Sequence, residues 1–319
     1  MRDAAQPPSG MPFRETALQV TVGPGEFRQR TRSSSIPLSY SGIRCLPQAP
    51  NGVGALVLAG SSGRVDADRA RLVAGLGAIT ASIRWFGGAG QQPAPFEVPI
   101  ELFQHQIDAL AADCDQVIVI GTSFGAEAAL VVASHTPVVD AVVAFAPSDV
   151  VWAGVRPDGT QTSHWTLDGI PLPFVPFDEA WEPNTDPPSF ADLYRRSRAI
   201  APERAQAAAI AVERIPTVVL VAGGDDRVWP SVDHAGAIVT RRAAHGLTTT
   251  VISHPLAGHR AVLPDEPVVT GGMTMARGGA PEADAALGSL GWPAIVDLIL
   301  LGNARRRADR RAPRWPPTS

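Results

Sequence analysis

A serine between two glycines is the first residue in this sequence whose surroundings indicate chemistry. Residues 121–125 read Gly-Thr-Ser-Phe-Gly, a GxSxG pattern centred on Ser123. The apolar run 117–120 before it is typical of a buried strand, and the alanine-rich run 126–130 after it is typical of a helix. A sharp turn between strand and helix exposes a serine hydroxyl and aims the first N–H groups of the helix at it. Ser123 is therefore the candidate nucleophile, and the alternative is an ordinary turn of small residues.

A serine hydroxyl is a weak nucleophile and needs a base, which in turn needs an acid to orient it. Both residue types follow Ser123 in the chain, each shortly after an apolar, strand-like run. The first such run leads to Asp225 and Asp226, and the second leads to His259. We favour Asp226 as the orienting acid, with Asp225 as its competitor and as a cap of the turn. His259 is the favoured base because the other histidines fall on predicted helices, in a long insertion or at a strand end.

A tetrahedral intermediate also needs two preorganised N–H donors for its oxyanion. The backbone N–H of Phe124, next to the candidate nucleophile, is the first. The second is expected in the loop 59–63, Ala-Gly-Ser-Ser-Gly, whose small residues let the backbone approach a substrate. The N–H of Ser61 or of Ser62 is the candidate there, unless the loop is a plain Gly/Ser turn.

Other kinds of site find no support in the sequence. It contains no GxxxxGK[ST], no GxGxxG and no HExxH, so we expect no cofactor and no metal. The net charge of -4 gives no reason to expect nucleic acid, and we see no uncharged apolar run of the ~20 residues that span a membrane. Cys45 and Cys114 are too few for a disulfide framework, and residues 1–25 lack the apolar core of a signal peptide. We expect a cytoplasmic protein with a small-molecule substrate and leave its oligomeric state open.

The elements that must position these residues alternate between strands and helices. Predicted strands cover 53–58, 79–84, 116–120, 139–145, 217–221 and 248–253, and predicted helices cover 67–76, 100–112, 127–134, 233–245 and 292–301. Such alternation indicates an α/β fold with a mostly parallel sheet covered by helices on both faces. Residues 17–22 and 38–43 alternate polar and apolar side chains and predict an antiparallel edge. We therefore expect a single domain over residues 1–319.

One segment, residues 149–211, interrupts this alternation with tryptophan, proline and aspartate and without a recognisable strand. A long irregular insertion is often a lid or a binding loop, and this one would overhang the sheet edge where α/β folds bind ligands. We therefore expect Trp152, Trp165 and His164 to contact the substrate; the alternative is an excursion that packs its aromatics on the sheet. The arginine-rich, proline-rich end, 304–319, is expected to be a frayed tail.

With these residues placed, the chain resembles the C-terminal catalytic domain shared by acyl-CoA thioesterases and bile acid-CoA:amino acid N-acyltransferases. The resemblance spans roughly residues 50–300. It is carried by the ordered stretches 56–63, 121–127, 146–148, 151–154, 165–166, 169–173, 212–215, 225–231, 257–259 and 278–284. It implies an α/β-hydrolase fold and a covalent acyl-enzyme, with Ser123, Asp226 and His259 matching the family's nucleophile, acid and base.

The residue at the nucleophile position carries a further implication. Family members that hydrolyse have serine there and members that transfer to amino acids have cysteine, so Ser123 favours water as the acceptor. The chain departs from the family in two respects. It has Phe124 where a basic residue is frequent. Only about fifty residues precede the first core strand, too few for the β-sandwich of ~100 residues that precedes this domain in animal members. We predict hydrolysis of an acyl thioester such as an acyl-CoA, or of an ester. Acyl transfer to an amine or alcohol, and a non-catalytic binding protein on the same fold, are the alternatives.

Overall fold

Eight strands of the computed structural model, which describes residues 13–23, 38–269 and 271–300, form one sheet. They are β1 (Phe13–Val22), β2 (Leu38–Pro47), β3 (Val53–Leu58), β4 (Ile79–Ile83), β5 (Gln116–Thr122), β6 (Val139–Phe145), β7 (Thr217–Gly223) and β8 (Thr250–His254). Their order across the sheet is β1-β2-β4-β3-β5-β6-β7-β8. The pairs β1–β2 and β2–β4 are antiparallel and the other five are parallel. The predicted parallel sheet and its antiparallel edge are therefore confirmed.

Helices cover both faces of this sheet. They are α1 (Ala67–Ala74), α2 (Glu101–Asp113), α3 (Phe124–His135), α4 (Ala191–Ile200), α5 (Pro202–Ala207), a 3-10 turn (Val212–Arg214), α6 (Ser231–Ala244) and α7 (Pro281–Leu300). Apolar residues of α2, α3 and α6 pack in one core on one face, and those of α1 and α7 pack in a second core on the other. Strands β3 and β4 are buried along their whole length, as expected for strands between two helical layers. This architecture is the α/β-hydrolase fold.

Helix α7 begins eleven residues earlier than the predicted start at residue 292. The glycine, alanine and serine residues in its first half gave no strong apolar period. Its buried residues, among them Leu287, Gly291 and Ile295, recur on one stripe that packs against the second core. Within the described ranges, this helix alone has the length and apolar composition of a membrane span, and 28% of that span is buried in the protein. The packed stripe thus places part of this apolar span in the core, while other apolar residues of the helix, Leu290 among them, are exposed.

The insertion between β6 and β7, here called the excursion (149–211), is partly regular, so the expectation that it lacks strands is wrong. It contains α4, α5 and the short strands Ala153–Val155, Gln161–Ser163, Trp165–Leu167 and Ile170–Pro171. Strands of two or three residues are too short to show a period in the sequence. One of them pairs in parallel with Val98–Pro99, just before α2, so the excursion is bound to the main body of the fold. The predicted tail, 304–319, lies outside the described residues.

Candidate active site

Ser123 lies on the turn between β5 and α3, in a backbone conformation that side chains rarely adopt (φ 59°, ψ -125°). Its N–H donates to the Phe145 carbonyl at 2.8 Å, which ties the turn to β6. The flanking glycines are required by space: a Cβ on Gly121 would lie 2.0 Å from the Gly125 oxygen, and one on Gly125 would lie 2.3 Å from the Ala59 oxygen. The GxSxG pattern therefore encodes a strained, tightly packed turn that presents the serine.

Three hydrogen-bonding side chains meet at this turn. The Oγ of Ser123 lies 2.9 Å from Nε2 of His259, and Nδ1 of His259 lies 2.8 Å from Oδ2 of Asp226. The residues follow β5, β8 and β7, whose carboxyl ends converge at one edge of the sheet. All three are buried. The structure thus brings together the three residues that the sequence analysis placed in one site.

The Asp226 carboxylate is held by neutral donors. Its Oδ1 accepts hydrogen bonds from the backbone N–H groups of Val228 at 2.9 Å and Trp229 at 3.3 Å. Its Oδ2 accepts from the Ser231 hydroxyl as well as from His259. No cation shares this carboxylate among the ion pairs of the described residues, so its charge remains available to the imidazole. Ser231 could not be identified as a site residue from the sequence, because its role depends on the turn between Asp226 and α6.

Asp225, the competing acid, has different partners. Its Oδ2 accepts a hydrogen bond from the Gly279 N–H at 2.9 Å, and its Oδ1 accepts from Nε of Arg227 at 3.0 Å. These bonds, the one from Gly279 foremost, lower the pKa of the Asp225 carboxyl. Asp225 therefore fastens the turn to the segment before α7, while its neighbour is the residue that bonds to His259.

The loop that carries His259 is fixed by α7 and by the segment before that helix, which was not predicted from the sequence. Oδ1 of Asp284 accepts a hydrogen bond from the Gly258 N–H at 2.7 Å, and the Arg277 carbonyl accepts one from the His259 N–H at 3.0 Å. Burial raises the pKa of the Asp284 carboxyl. Asp284 does lie in one of the stretches that carry the family resemblance, which was the available signal.

A buried arginine joins the serine strand to the loop that follows His259. Nη1 of Arg69 donates to the Thr122 hydroxyl at 2.7 Å, and Nη2 donates to the Ala261 carbonyl at 3.2 Å. Its Nε and Nη2 also form a two-point ion pair with the Glu266 carboxylate, both at 2.8 Å. A planar guanidinium suits such a fixed, multi-point contact. Arg69 therefore links two of the three loops that build the site.

The predicted oxyanion donors lie beside the serine. Phe124 is the first residue of α3, where backbone N–H groups have no partner within the helix. The predicted second donor lies in the loop between β3 and α1. A Cβ on Gly60 would lie 3.5 Å from Ser123 Oγ, so this loop passes next to the hydroxyl. Ser61 and Ser62 follow directly and are exposed, and the choice between their N–H groups stays a prediction.

The aromatic residues expected to contact the substrate are placed differently. Trp152 and Trp165 are fully buried, so neither ring offers surface to a substrate in this structure. The indole N–H of Trp165 donates to Oε1 of Glu127 at 2.8 Å, inside the core. His164 is also buried, and its ring packs edge-to-face against Phe124 with centroids 4.2 Å apart. The aromatic residues of the excursion thus form a core around the serine helix.

A cavity of about 360 Å³ lies beside the excursion rather than at the serine. Its lining includes Leu38, Trp85, Gln91, Glu97, Leu102 and Thr166. Ser123, Asp226 and His259 do not line it. Across the described ranges, no group of three or more His, Cys, Asp and Glu side chains could hold a metal ion.

Solved structures of similar fold include several esterases. Carboxyl esterase 2 from the mycorrhizal fungus Tuber melanosporum is 13% identical over 96% of this chain and 89% of its own, with a TM-score of 0.49. A dienelactone hydrolase-like promiscuous phosphotriesterase from metagenomic libraries is 18% identical over 89% of this chain and 97% of its own, also with a TM-score of 0.49. The esterase domain of a Rhodothermus marinus protein is 14% identical over 92% and 98%, with a TM-score of 0.45. No curated protein matches the chain.

One protein family matches more than half of the chain. The model of the BAAT / acyl-CoA thioester hydrolase C-terminal family covers residues 98–299. This range contains the serine turn, the aspartate loop, the histidine loop and the whole excursion. The loop with the predicted second oxyanion donor precedes it. The chain therefore belongs to the BAAT / acyl-CoA thioester hydrolase C-terminal family.

Proposed function

We propose that this protein is a serine hydrolase that cleaves an acyl thioester or an ester through an acyl-Ser123 intermediate. The observation that carries the proposal is the hydrogen-bonded line from Ser123 through His259 to Asp226 at the carboxyl edge of the sheet. A histidine that bonds to a hydroxyl with one nitrogen and to a carboxylate with the other is arranged to act as a general base. Membership of a family named for acyl-CoA thioester hydrolysis favours a thioester substrate.

In the first half of the reaction, Ser123 Oγ attacks the carbonyl carbon while His259 Nε2 takes the hydroxyl proton. Asp226 keeps the Nδ1 proton in place and stabilises the imidazolium that forms. The oxyanion accepts hydrogen bonds from the Phe124 N–H and from the loop of Ser61 and Ser62. The C–S or C–O bond then breaks, and the leaving group takes the proton from His259.

In the second half of the reaction, the acyl group is transferred from Ser123 to water. A water molecule attacks the ester carbonyl of acyl-Ser123 while His259 accepts one of its protons. The tetrahedral intermediate collapses, the bond to Oγ breaks, and Oγ regains a proton from His259. The products are a carboxylic acid and the original enzyme. The first turn of α3 favours the negative charge in both halves, since its N–H groups point at the site.

The decisive experiment combines active-site labelling with turnover of acyl-CoAs and p-nitrophenyl esters. We expect a fluorophosphonate to label Ser123, and a Ser123→Ala variant to lose labelling and about 10⁵-fold in kcat. Ser134→Ala is the matched control, because Ser134 is a buried serine on α3 that donates only to the Val131 carbonyl. A folded wild-type protein that is not labelled at Ser123 contradicts the proposal.

The substrate panel then separates thioesters from esters. Turnover of acyl-CoAs that disappears in Ser123→Ala supports thioester hydrolysis. Turnover of p-nitrophenyl esters alone retains the serine mechanism and removes the thioester. Products formed with an added amine instead of water would replace hydrolysis by acyl transfer, with the same acyl-enzyme.

A further inference from the structure

A second carboxylate lies one helical turn beyond the serine, and it has no part in the reaction proposed above. Glu127 is fully buried in α3, and its N–H donates to the Ser123 carbonyl at 3.0 Å. Its Oε1 accepts three hydrogen bonds, from the Trp152 backbone N–H at 3.2 Å, His164 Nδ1 at 3.1 Å and Trp165 Nε1 at 2.8 Å. All three donors belong to the excursion. Glu127 is therefore the point at which the excursion is hydrogen-bonded to the serine helix.

This carboxylate is an expensive group to bury. Its Oε2 is enclosed and has no hydrogen-bond partner in the described structure. A buried polar atom without a partner is destabilising, and an apolar side chain would fill the same space without that penalty. Stability alone therefore does not account for a glutamate here. The directed hydrogen bonds of Oε1, which an apolar residue could not form, are what this side chain adds.

The hydrogen bond to His164 leads back to the reaction centre. The His164 ring packs edge-to-face on Phe124 with centroids 4.2 Å apart. The Phe124 ring also packs edge-to-face against Trp229, with centroids 5.3 Å apart, and Trp229 packs in the same way against His259, with centroids 5.9 Å apart. Phe124 thus packs against two rings, one hydrogen-bonded to Glu127 and the other lying next to the histidine base. Phe124 also carries the backbone N–H that is proposed to bind the oxyanion.

We propose that Glu127 is a positioning residue for the oxyanion donor. By accepting the Nδ1 proton of His164, it fixes the orientation of that ring, and the ring holds Phe124 so that its N–H points at the developing charge. Glu127 touches neither the substrate nor the reacting atoms. The inference rests on the proposed function, because it assigns a role within that reaction.

The chain offers a matched control in Glu101, the first residue of α2. This glutamate is also buried, and its Oε2 also has no partner in the described structure. Its Oε1 accepts the backbone N–H of Asp168, so it fastens the same excursion at 2.6 Å. It lies on another helix, and its hydrogen bond leads to neither Phe124 nor Ser123. A role in holding the excursion is common to both glutamates, while a role in orienting Phe124 belongs to Glu127 alone.

The experiment compares Glu127→Gln with Glu101→Gln. A glutamine keeps the size of the side chain and one acceptor oxygen, but it lacks the negative charge that strengthens the three hydrogen bonds, and it puts N–H donors at the enclosed position of Oε2. We expect Glu127→Gln to lower kcat roughly tenfold with KM unchanged, because a small misplacement near the reacting atoms is costly. The acid limb of the pH–rate profile should not move, because the hydrogen bonds of His259 are untouched. Glu101→Gln should keep wild-type kcat.

A third variant covers the case in which Glu127→Gln does not fold. His164→Asn retains an N–H donor near the position of Nδ1, so the bond to Glu127 persists, but it removes the part of the ring that supports Phe124. It should show the same loss in kcat. Unchanged kcat in folded Glu127→Gln and His164→Asn overturns the proposal. So does an equal loss in Glu101→Gln, or an acid limb that shifts. Fluorophosphonate labelling of wild-type Ser123 reports on the proposed function separately, so the two failures are distinguishable.

Discussion

His234 and Asp149 form a second buried pair whose geometry resembles that of His259 and Asp226. Nδ1 of His234 lies 2.5 Å from Oδ1 of Asp149, and the corresponding distance in the site is 2.8 Å. Each aspartate lies in a loop after a sheet strand, and each histidine is almost completely enclosed. The residue types and the hydrogen bond are therefore the same, and the difference between the two regions lies in what surrounds them.

The first difference is at the far nitrogen of each ring. Nε2 of His259 meets the Ser123 hydroxyl at 2.9 Å, whereas Nε2 of His234 is enclosed and has no partner in the described structure. The second difference is at the carboxylate. Neutral donors hold Asp226, whereas Arg198 forms a two-point ion pair with Asp149 at 2.6 and 2.8 Å.

These differences indicate different roles for the two histidine–aspartate pairs. Burial alone would raise the pKa of the Asp149 carboxyl, but the hydrogen bonds from His234 and Arg198 outweigh it and lower that pKa to about 2. A carboxylate already matched by a guanidinium has less charge to offer an imidazolium. We therefore expect the Asp149 pair to stabilise the fold and the Asp226 pair to serve the proposed proton transfer. A histidine–aspartate pair indicates catalysis only when a reacting group meets the other nitrogen.

Exchanging each aspartate for asparagine gives the largest contrast. We expect Asp226→Asn to lower kcat about 10⁴-fold, because the amide no longer selects the tautomer of His259 that accepts the serine proton. Asp149→Asn should leave kcat within a few-fold of wild type. Steady-state kinetics on variants with verified thermal unfolding test this, and a loss of similar size in both would refute the contrast.

Removing the second histidine should affect stability instead of activity. His234→Ala leaves a cavity and removes one of the two hydrogen bonds to Oδ1 of Asp149, which keeps its bond to Arg198, so we expect the free energy of unfolding to fall by about 3 kcal/mol. Urea unfolding measures this, with His245→Ala, at the exposed end of the same helix, as a control expected within about 0.5 kcal/mol of wild type. A folded His234→Ala protein with normal stability and greatly reduced kcat would reverse the assignment.

Acid should reduce the stabilisation that the Asp149 carboxylate provides, in a defined pH range. Because the pKa of Asp149 is lower in the folded protein than its ordinary value of 3.8, the unfolded chain binds this proton first as the pH falls. The stabilisation, about 2 kcal/mol, is present above pH 3.8 and disappears as the pH falls towards 2. Urea unfolding of wild type and Asp149→Asn at several pH values should show their difference shrinking in that range. A constant difference would contradict the role of the carboxylate charge.

The smallest expected effect concerns the hydroxyl that supports Asp226. Ser231→Ala removes one donor to Oδ2, and we expect kcat to fall about fivefold, since one hydrogen bond to a charged group is lost. Ser231→Thr keeps a hydroxyl and should recover most of the activity. Kinetics of the two variants decide the matter: equal kcat in both would remove Ser231 from the support of the site.

The sequence by itself determined the sheet and the serine turn. The strands over 53–58 and 139–145 were predicted to the residue because both are mostly apolar and contain valines, as is typical of a parallel strand covered on both faces. The turn at Ser123 was predictable because its glycines, its strand and its helix are all local. The start of α7 and the short strands of the excursion could not be predicted, because neither shows a hydrophobic period in the sequence. Both depend on packing against distant parts of the chain.

The sequence favoured Asp226 over Asp225 as the acid, and the tertiary structure supplies the physical reason, because the path of the turn directs Asp226 to His259 and an N–H from residue 279 binds Asp225. Only the tertiary structure placed Trp152 and Trp165 in the core and gave Glu127 its partners in the excursion. Glu127 and Trp165 are 38 residues apart in the chain. Their contact depends on how the excursion folds back onto the sheet, and neither residue lies in a local pattern that indicates its partner.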